Sequence, residues 1–181
     1  MTQSTIKAIQ KLEGERIALI PLYEKDVNHT YLAWLNDPAV IQHIDARYHS
    51  QSLDSLKSFV SSFDQINGHI WRMVNTPTDT PIGNIQMRIN WLHKTADIGI
   101  LIGNSNFWGQ GLAKEALNLV IQYAKSELQL EKVTMATRAT NERMLKTIRS
   151  LGFFSEGNLK NQVIYENRRV DIAQYGLIFS E

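Results

Sequence analysis

Between residues 95 and 125 the chain reads TADIGILIG, then NSNFWGQ, then GLAKEALNLVIQYAK. An alternating apolar run becomes, within eight residues, an apolar stripe of helical period. The joint holds two glycines one residue apart, Gly109 and Gly111. Ala96, Ile98, Ile100 and Ile102 share one face of the expected strand, leaving Asp97, Gly99 and Leu101 on the other. Ala113, Ala116, Leu117, Val120 and Ala124 then form a stripe on a helix expected over about 110–127. A helix that starts directly after glycines presents unpaired amides and the positive end of its dipole, an arrangement suited to phosphate. Glycine lets backbone approach such a group with no Cβ in the way. The same residues are equally those of a tight turn.

The spacing separates this loop from other nucleotide sites. A dinucleotide fingerprint needs a third glycine at position 114, which is Lys114, and a parallel βαβ setting. A P-loop needs Gly-Lys-Ser/Thr, and that tripeptide does not occur.

The remaining chain supplies six more strands and three more helices. Strands are expected at 16–22, 69–74, 82–90 and 132–138, with two more in 153–179 joined near Glu166, Asn167 and Arg168. The segments 69–74 and 82–90 form a hairpin. Helices are expected over about 24–36, 52–66 and 141–152, the last with Met144, Leu145, Ile148 and Leu151 inward and Gly152 as its stop. Mostly antiparallel strands with helices inserted give an α+β fold on a mixed seven-stranded sheet flanked by about four helices. A length of 181 residues suits a single domain over 1–181, with 1–14 as a polar lead-in.

Composition narrows the chemistry. With 19 basic and 18 acidic residues and no run of like charge, nothing calls for direct nucleic-acid or membrane binding. The chain has no cysteine, which excludes disulfides, thiolate metal sites and cysteine nucleophiles. It shows neither a signal peptide nor an 18-residue apolar run, so a cytoplasmic location is expected. The five histidines, His29, His43, His49, His69 and His93, lack metal-binding spacing, so no metal is expected and all five read as loop or surface residues. The four tryptophans are scattered, as core and pocket walls are, with no fixed stacking period.

NFWGQGLAKEAL followed by NERMLKTIRSLGFFSEGNL resembles the two signature segments of the GCN5-related N-acetyltransferases (GNAT). With the tail EGNLKNQVIYENRRVDIAQYGL, the likeness is to the RimJ/RimL branch and spans about residues 15–179. This resemblance implies a sheet that splays between its fourth and fifth strands, with acetyl-CoA as co-substrate in the gap. The amides from Trp108 through Gly109, Gln110, Gly111 and Leu112 to Ala113 would hold the pyrophosphate. The pantetheine arm would pair with the edge at Ile100, Leu101 and Ile102, and Asn141 matches a position that contacts that arm. Two positions depart from the pattern. Asn106 replaces a Gln or Arg before the first glycine, and Ile148 stands where many members carry a tyrosine acid for the departing thiolate.

Acetyl transfer needs a neutral amine, and an amine of pKa roughly 8 to 10 is mostly charged at pH 7. A proton acceptor and an oxyanion donor are therefore required. Asp97 is the candidate base, since ADI resembles the AEI that carries a glutamate base in several members, and its shorter side chain implies action through water. Its alternative role is to orient substrate or pair with a base such as Arg138. A backbone amide of the fourth strand is the expected oxyanion donor. Tyr175 and Asp171 share one face of the last strand, and the resemblance puts such a tail near the acceptor. The branch implies a protein N-terminal α-amine as acceptor, typically of a ribosomal protein; amino sugars, nucleotide-linked or free, and other small amines stay open. So does a non-catalytic acyl-CoA sensor. A monomer and a homodimer are both compatible with the sequence.

Overall fold

The computed structural model describes residues 9–179, so the lead-in as far as residue 8 lies outside the described residues. From Ile9 onward the lead-in is structured. Ile9 is buried, and Leu12–Glu13 (β1) pairs antiparallel with Ile17–Pro21 (β2). A two-residue strand is too short to leave a period in the sequence.

The chain continues through α1 (His29–Leu35), α2 (Pro38–Ile41), α3 (Leu53–Ser61), β3 (Gly68–Asn75), β4 (Thr80–Asn90) and β5 (Thr95–Ile102). Then come α4 (Leu112–Gln122), β6 (Lys132–Arg138), α5 (Glu142–Ser150), β7 (Phe154–Tyr165) and β8 (Arg168–Ile178). The fold is α+β as expected, with eight strands in the order β1-β2-β3-β4-β5-β6-β8-β7. Only the central β5–β6 pair is parallel. The expected fourth and fifth strands are thus β5 and β6. Among the described residues five α-helices replace the expected four or so. Asn28 and Asp37 explain the difference, because each caps a new helix start: Asn28 accepts from the Tyr31 amide and Asp37 from the Ala39 amide. The 24–36 segment is accordingly a 3-10 turn (Glu24–Asp26) followed by α1, and the expected loop after it holds α2 and a second 3-10 turn (Asp45–Tyr48). None of the described helices is long and apolar enough to cross a membrane.

The sheet carries one apolar layer on each face. Ala96 and Ile98 of β5 pack with Ala116, Leu117 and Val120 of α4 and Leu145 and Ile148 of α5. Leu101 packs on the opposite face, with Tyr31, Leu35, Leu56 and Val60 of α1 and α3. The period-two reading of β5 therefore holds on both sides. Leu117 and Ile148 are fully buried, and truncation of such a side chain to alanine costs about 2–5 kcal/mol.

The parallel pair is short. β5 and β6 meet on three rungs, Thr95–Lys132, Ala96–Val133 and Asp97–Thr134. Beyond Asp97, β5 keeps only β4 and β6 keeps only β8 as strand neighbours. The splay expected from the resemblance is therefore present, and its vertex is the Asp97–Thr134 rung.

Candidate active site

The glycine loop closes the wide end of the splay. Gly109 and Gly111 have φ of +77° and +79°, in the left-handed region where a Cβ is disfavoured. Gly111 is the N-cap of α4 and has no side chain to satisfy the first-turn amides, and the first two residues of that turn, Leu112 and Ala113, line the cleft. The loop is pinned from far along the chain by Arg16. Its Nη1 donates to the Gln110 carbonyl at 2.9 Å, and its Nε donates to Glu115 Oε2 at 2.9 Å. The Trp108 indole N–H donates to the Ile102 carbonyl at 2.9 Å, tying loop to strand.

The cleft encloses about 560 Å³. Ile100, Leu101 and Ile102 form its strand wall, Trp108, Gly109, Gly111, Leu112 and Ala113 its loop wall, and Asn141 part of the wall at α5. Nearly all the sequence-derived cofactor positions therefore converge. Gln110 does not line the cleft, because its side chain donates to the Asn106 carbonyl. The Asn141 side chain serves α5 itself: Oδ1 accepts from the Met144 amide and Nδ2 donates to Thr137 Oγ1.

Asp97 sits at the vertex, where its Oδ2 accepts from the Thr134 hydroxyl at 3.0 Å. The residue as a whole is exposed and is not among those lining the cleft, while the surrounding protein partly desolvates its carboxylate. Burial pushes its pKa above the ordinary carboxylate value, and the Thr134 bond offsets part of that rise. The Gln86 side chain lies over Gly99, where a Cβ would meet it.

The third wall comes from residues 38–48. Val40, His43 and Ile44 line the cleft opposite the glycine loop. This segment is anchored by Arg138, whose guanidinium is 2% exposed. Arg138 donates to the Gln42 carbonyl at 2.7 Å and to Asp45 Oδ1 at 3.1 Å, and stacks 5.1 Å from the Tyr165 ring centroid. Arg47 lies over the same ring at 4.4 Å, and the Tyr48 hydroxyl donates to the Ile164 carbonyl.

A family model described as the acetyltransferase (GNAT) domain matches residues 16–154, more than two thirds of the sequence. The chain belongs to the GNAT acetyltransferase family. It is an N-acetyltransferase by that membership. The uncharacterized N-acetyltransferase p20 of Bacillus licheniformis is 25% identical over 177 residues, covering 96% of this chain and 98% of its own. Two solved structures share the fold. RimL, a ribosomal L7/L12 alpha-N-protein acetyltransferase in complex with coenzyme A, superposes with a TM-score of 0.83 at 18% identity, covering 93% of this chain and 98% of its own. The spermidine N-acetyltransferase of Vibrio cholerae, in complex with CoA and spermine, gives 0.80 at 18%, covering 91% and 96%.

Within this GNAT fold several expected residues take other places. Tyr175 is buried against Met135 on the α5 side of the sheet, and its hydroxyl accepts from Arg149 Nε at 3.1 Å. Asp171 accepts from Lys160 Nζ at 2.8 Å and from the Asn161 amide at 2.8 Å. Neither side chain lines the cleft. By strand parity both face away from Asp97, and both have structural partners. Arg138 pairs with Asp45, not with Asp97. One of the five histidines is not a loop or surface residue, since His69 is fully buried in β3; His43 lies in a turn, as expected, and lines the cleft. A lone histidine carries no periodic signal, and its neighbours here come from distant strands. Among the described residues no group of three His, Asp or Glu is placed to hold a metal.

Proposed function

We propose that this protein transfers acetyl from acetyl-CoA, bound in the β5–β6 cleft, to the α-amine at a protein N-terminus. The donor side rests on the open amides of the α4 start and the unpaired edge of β5, which fit a pyrophosphate and an amide-bearing arm. Lys114, Arg143 and Lys146 add cations at the mouth. Both a protein and a polyamine acetyltransferase share this fold, so the choice of acceptor rests on the third wall. Its charges are Arg47 and Arg138 against Asp45, which is already committed to Arg138. A polyamine keeps further positive charges while one nitrogen reacts, and that wall repels them. A peptide brings a single amine on an otherwise neutral backbone.

The proton balance assigns the residues. The incoming ammonium loses its first proton through water to Asp97, whose raised affinity for protons suits a base. The neutral nitrogen attacks the thioester carbonyl, forming the C–N bond, and a β5 backbone amide stabilises the oxyanion. Collapse breaks the C–S bond.

Thiol release from acetyl-CoA, measured with peptides beginning Ala or Ser beside spermidine and glucosamine, tests this reading. The peptides should give the highest kcat/KM. A higher value for spermidine overturns the acceptor assignment. No release with any amine points to an acyl-CoA sensor.

A further inference from the structure

The structure leaves one proton without a carrier. After Asp97 has taken the first, the tetrahedral intermediate holds a second on nitrogen, and the departing sulfur needs one. Ile148 stands where a tyrosine would have supplied it, and it is fully buried under the sheet. The side chains lining the cleft that can ionise are His43, Lys114, Glu142, Arg143 and Lys146. Of these, only an imidazole both accepts and releases a proton near neutrality.

We propose that His43 is the proton shuttle of the collapse step, taking the second amine proton and delivering it to the CoA sulfur. The proposal rests on the acetyl-transfer reading above. The balance closes without a further reactant: N–H breaks, S–H forms as C–S breaks, and the imidazole ends neutral as it began.

Three observations carry it. Neither ring nitrogen of His43 has a hydrogen-bond partner among the described residues, and Nδ1 is closed off from solvent. An imidazole so uncommitted is unusual for a structural histidine, whose nitrogens are normally satisfied. Its ring is held by stacking on Tyr165, centroids 6.3 Å apart at 22°. Its surroundings keep it neutral at rest, ready to accept. Burial lowers its pKa first, and Arg138 of β6, Arg47 of the 45–48 turn and Arg143 of α5 lower it further. The other polar groups around this ring are Tyr48, Tyr165 and Asp45, whose charge is spent on Arg138.

The test separates the two protons by choosing the amine. Hydroxylamine is already neutral at pH 7, so its reaction dispenses with the first transfer and keeps the second. CoA release is measured with saturating hydroxylamine and with an Ala-starting peptide, for wild type, Asp97→Asn, His43→Gln and, as a second variant in case glutamine packs badly, His43→Asn. CoA affinity by calorimetry verifies each site. We expect His43→Gln to lower kcat about 100-fold with both amines, the low end for a positioned acid or base, and Asp97→Asn to do so with the peptide alone. With hydroxylamine held saturating as its free base at each pH, wild type should lose activity only on acidification below the ordinary imidazole value of about 6.5, since the surroundings of His43 lower its own, and His43→Gln should lack that limb. The His43 ring, followed by NMR, should stay neutral at pH 7. Unchanged kcat in both His43 variants, or an acid limb that survives in them, overturns the shuttle while acetyl transfer stands. Failure of wild type with every amine overturns both.

Discussion

The cleft has two walls built in opposite ways. The donor wall is local: 14 consecutive positions, 100–113, supply the strand edge, the loop and the first residues of α4. The acceptor wall is assembled from afar, with Arg138 reaching Gln42 across 96 positions and Asp45 across 93. One wall is backbone and glycine; the other is a buried guanidinium between aromatic rings. Backbone amides suit what every GNAT donor shares, a pyrophosphate and an amide arm. Side chains are free to differ, and the proposed choice of acceptor rests on them.

The largest effect should come from breaking the donor wall. In Gly111→Val a β-branched residue meets φ of +79°, so the loop must move. Losing even two charge-assisted hydrogen bonds, roughly 1.5–3 kcal/mol each, weakens CoA binding by more than about 100-fold. Calorimetry with CoA checks this, and circular dichroism should show an intact fold. At the vertex, Asp97→Asn should lower kcat for a peptide by about 100-fold with CoA affinity unchanged; near-normal turnover across pH removes the base assignment.

Breaking the acceptor wall should act on the other partner. Arg138→Met leaves the Gln42 carbonyl and Asp45 unpaired. Loss of a buried ion-pair partner costs roughly 3–5 kcal/mol, discounted here to about 2 because Asp45 is 81% exposed and screened by water. The melting temperature should fall and KM for the peptide rise about tenfold, the same order as 1.4 kcal/mol, while CoA affinity holds. An equal loss for CoA would show that the walls are not separable.

What the sequence disclosed follows this division. The places of Asp97 and the β5 edge on their strand, and of the glycine loop before α4, were legible because each rests on period or on neighbours in the chain. The α4 and α5 stripes were legible for the same reason. β1 was too short to have a period, the start of α1 at Asn28 was hidden inside one apolar pattern, and that of α2 at Asp37 lay just past its end. Arg138, His43 and Tyr165 meet only after the sheet has formed, so nothing local marks them. Tyr175 and Asp171 were correctly placed on one face, but the sequence does not tell which helix covers that face, and it is α5.

A smaller effect lies away from the cleft. His69 is fully enclosed beside Trp71 and Tyr123, and its Nδ1 has no partner. Burial lowers its pKa from about 6.5, partly offset by the Gln65 carbonyl and Asp64. The unfolded chain therefore binds a proton that the folded one refuses, and stability should be full above pH 6.5 and decline as pH falls toward the depressed value. Urea midpoints across pH should show this slope in wild type and a shallower one in His69→Phe. CoA affinity should not follow it, since His69 touches neither wall.

The account stands most directly on where the acetyl group goes. Labelled acetyl-CoA is incubated with the enzyme and a peptide carrying a free α-amine and an internal lysine, in competition with spermidine, and the products are sequenced by tandem mass spectrometry. Label on the peptide α-nitrogen, with lysine and spermidine bare, is the result expected of a wall whose Arg47 and Arg138 repel a polyamine. Label on spermidine with the α-nitrogen bare would contradict it.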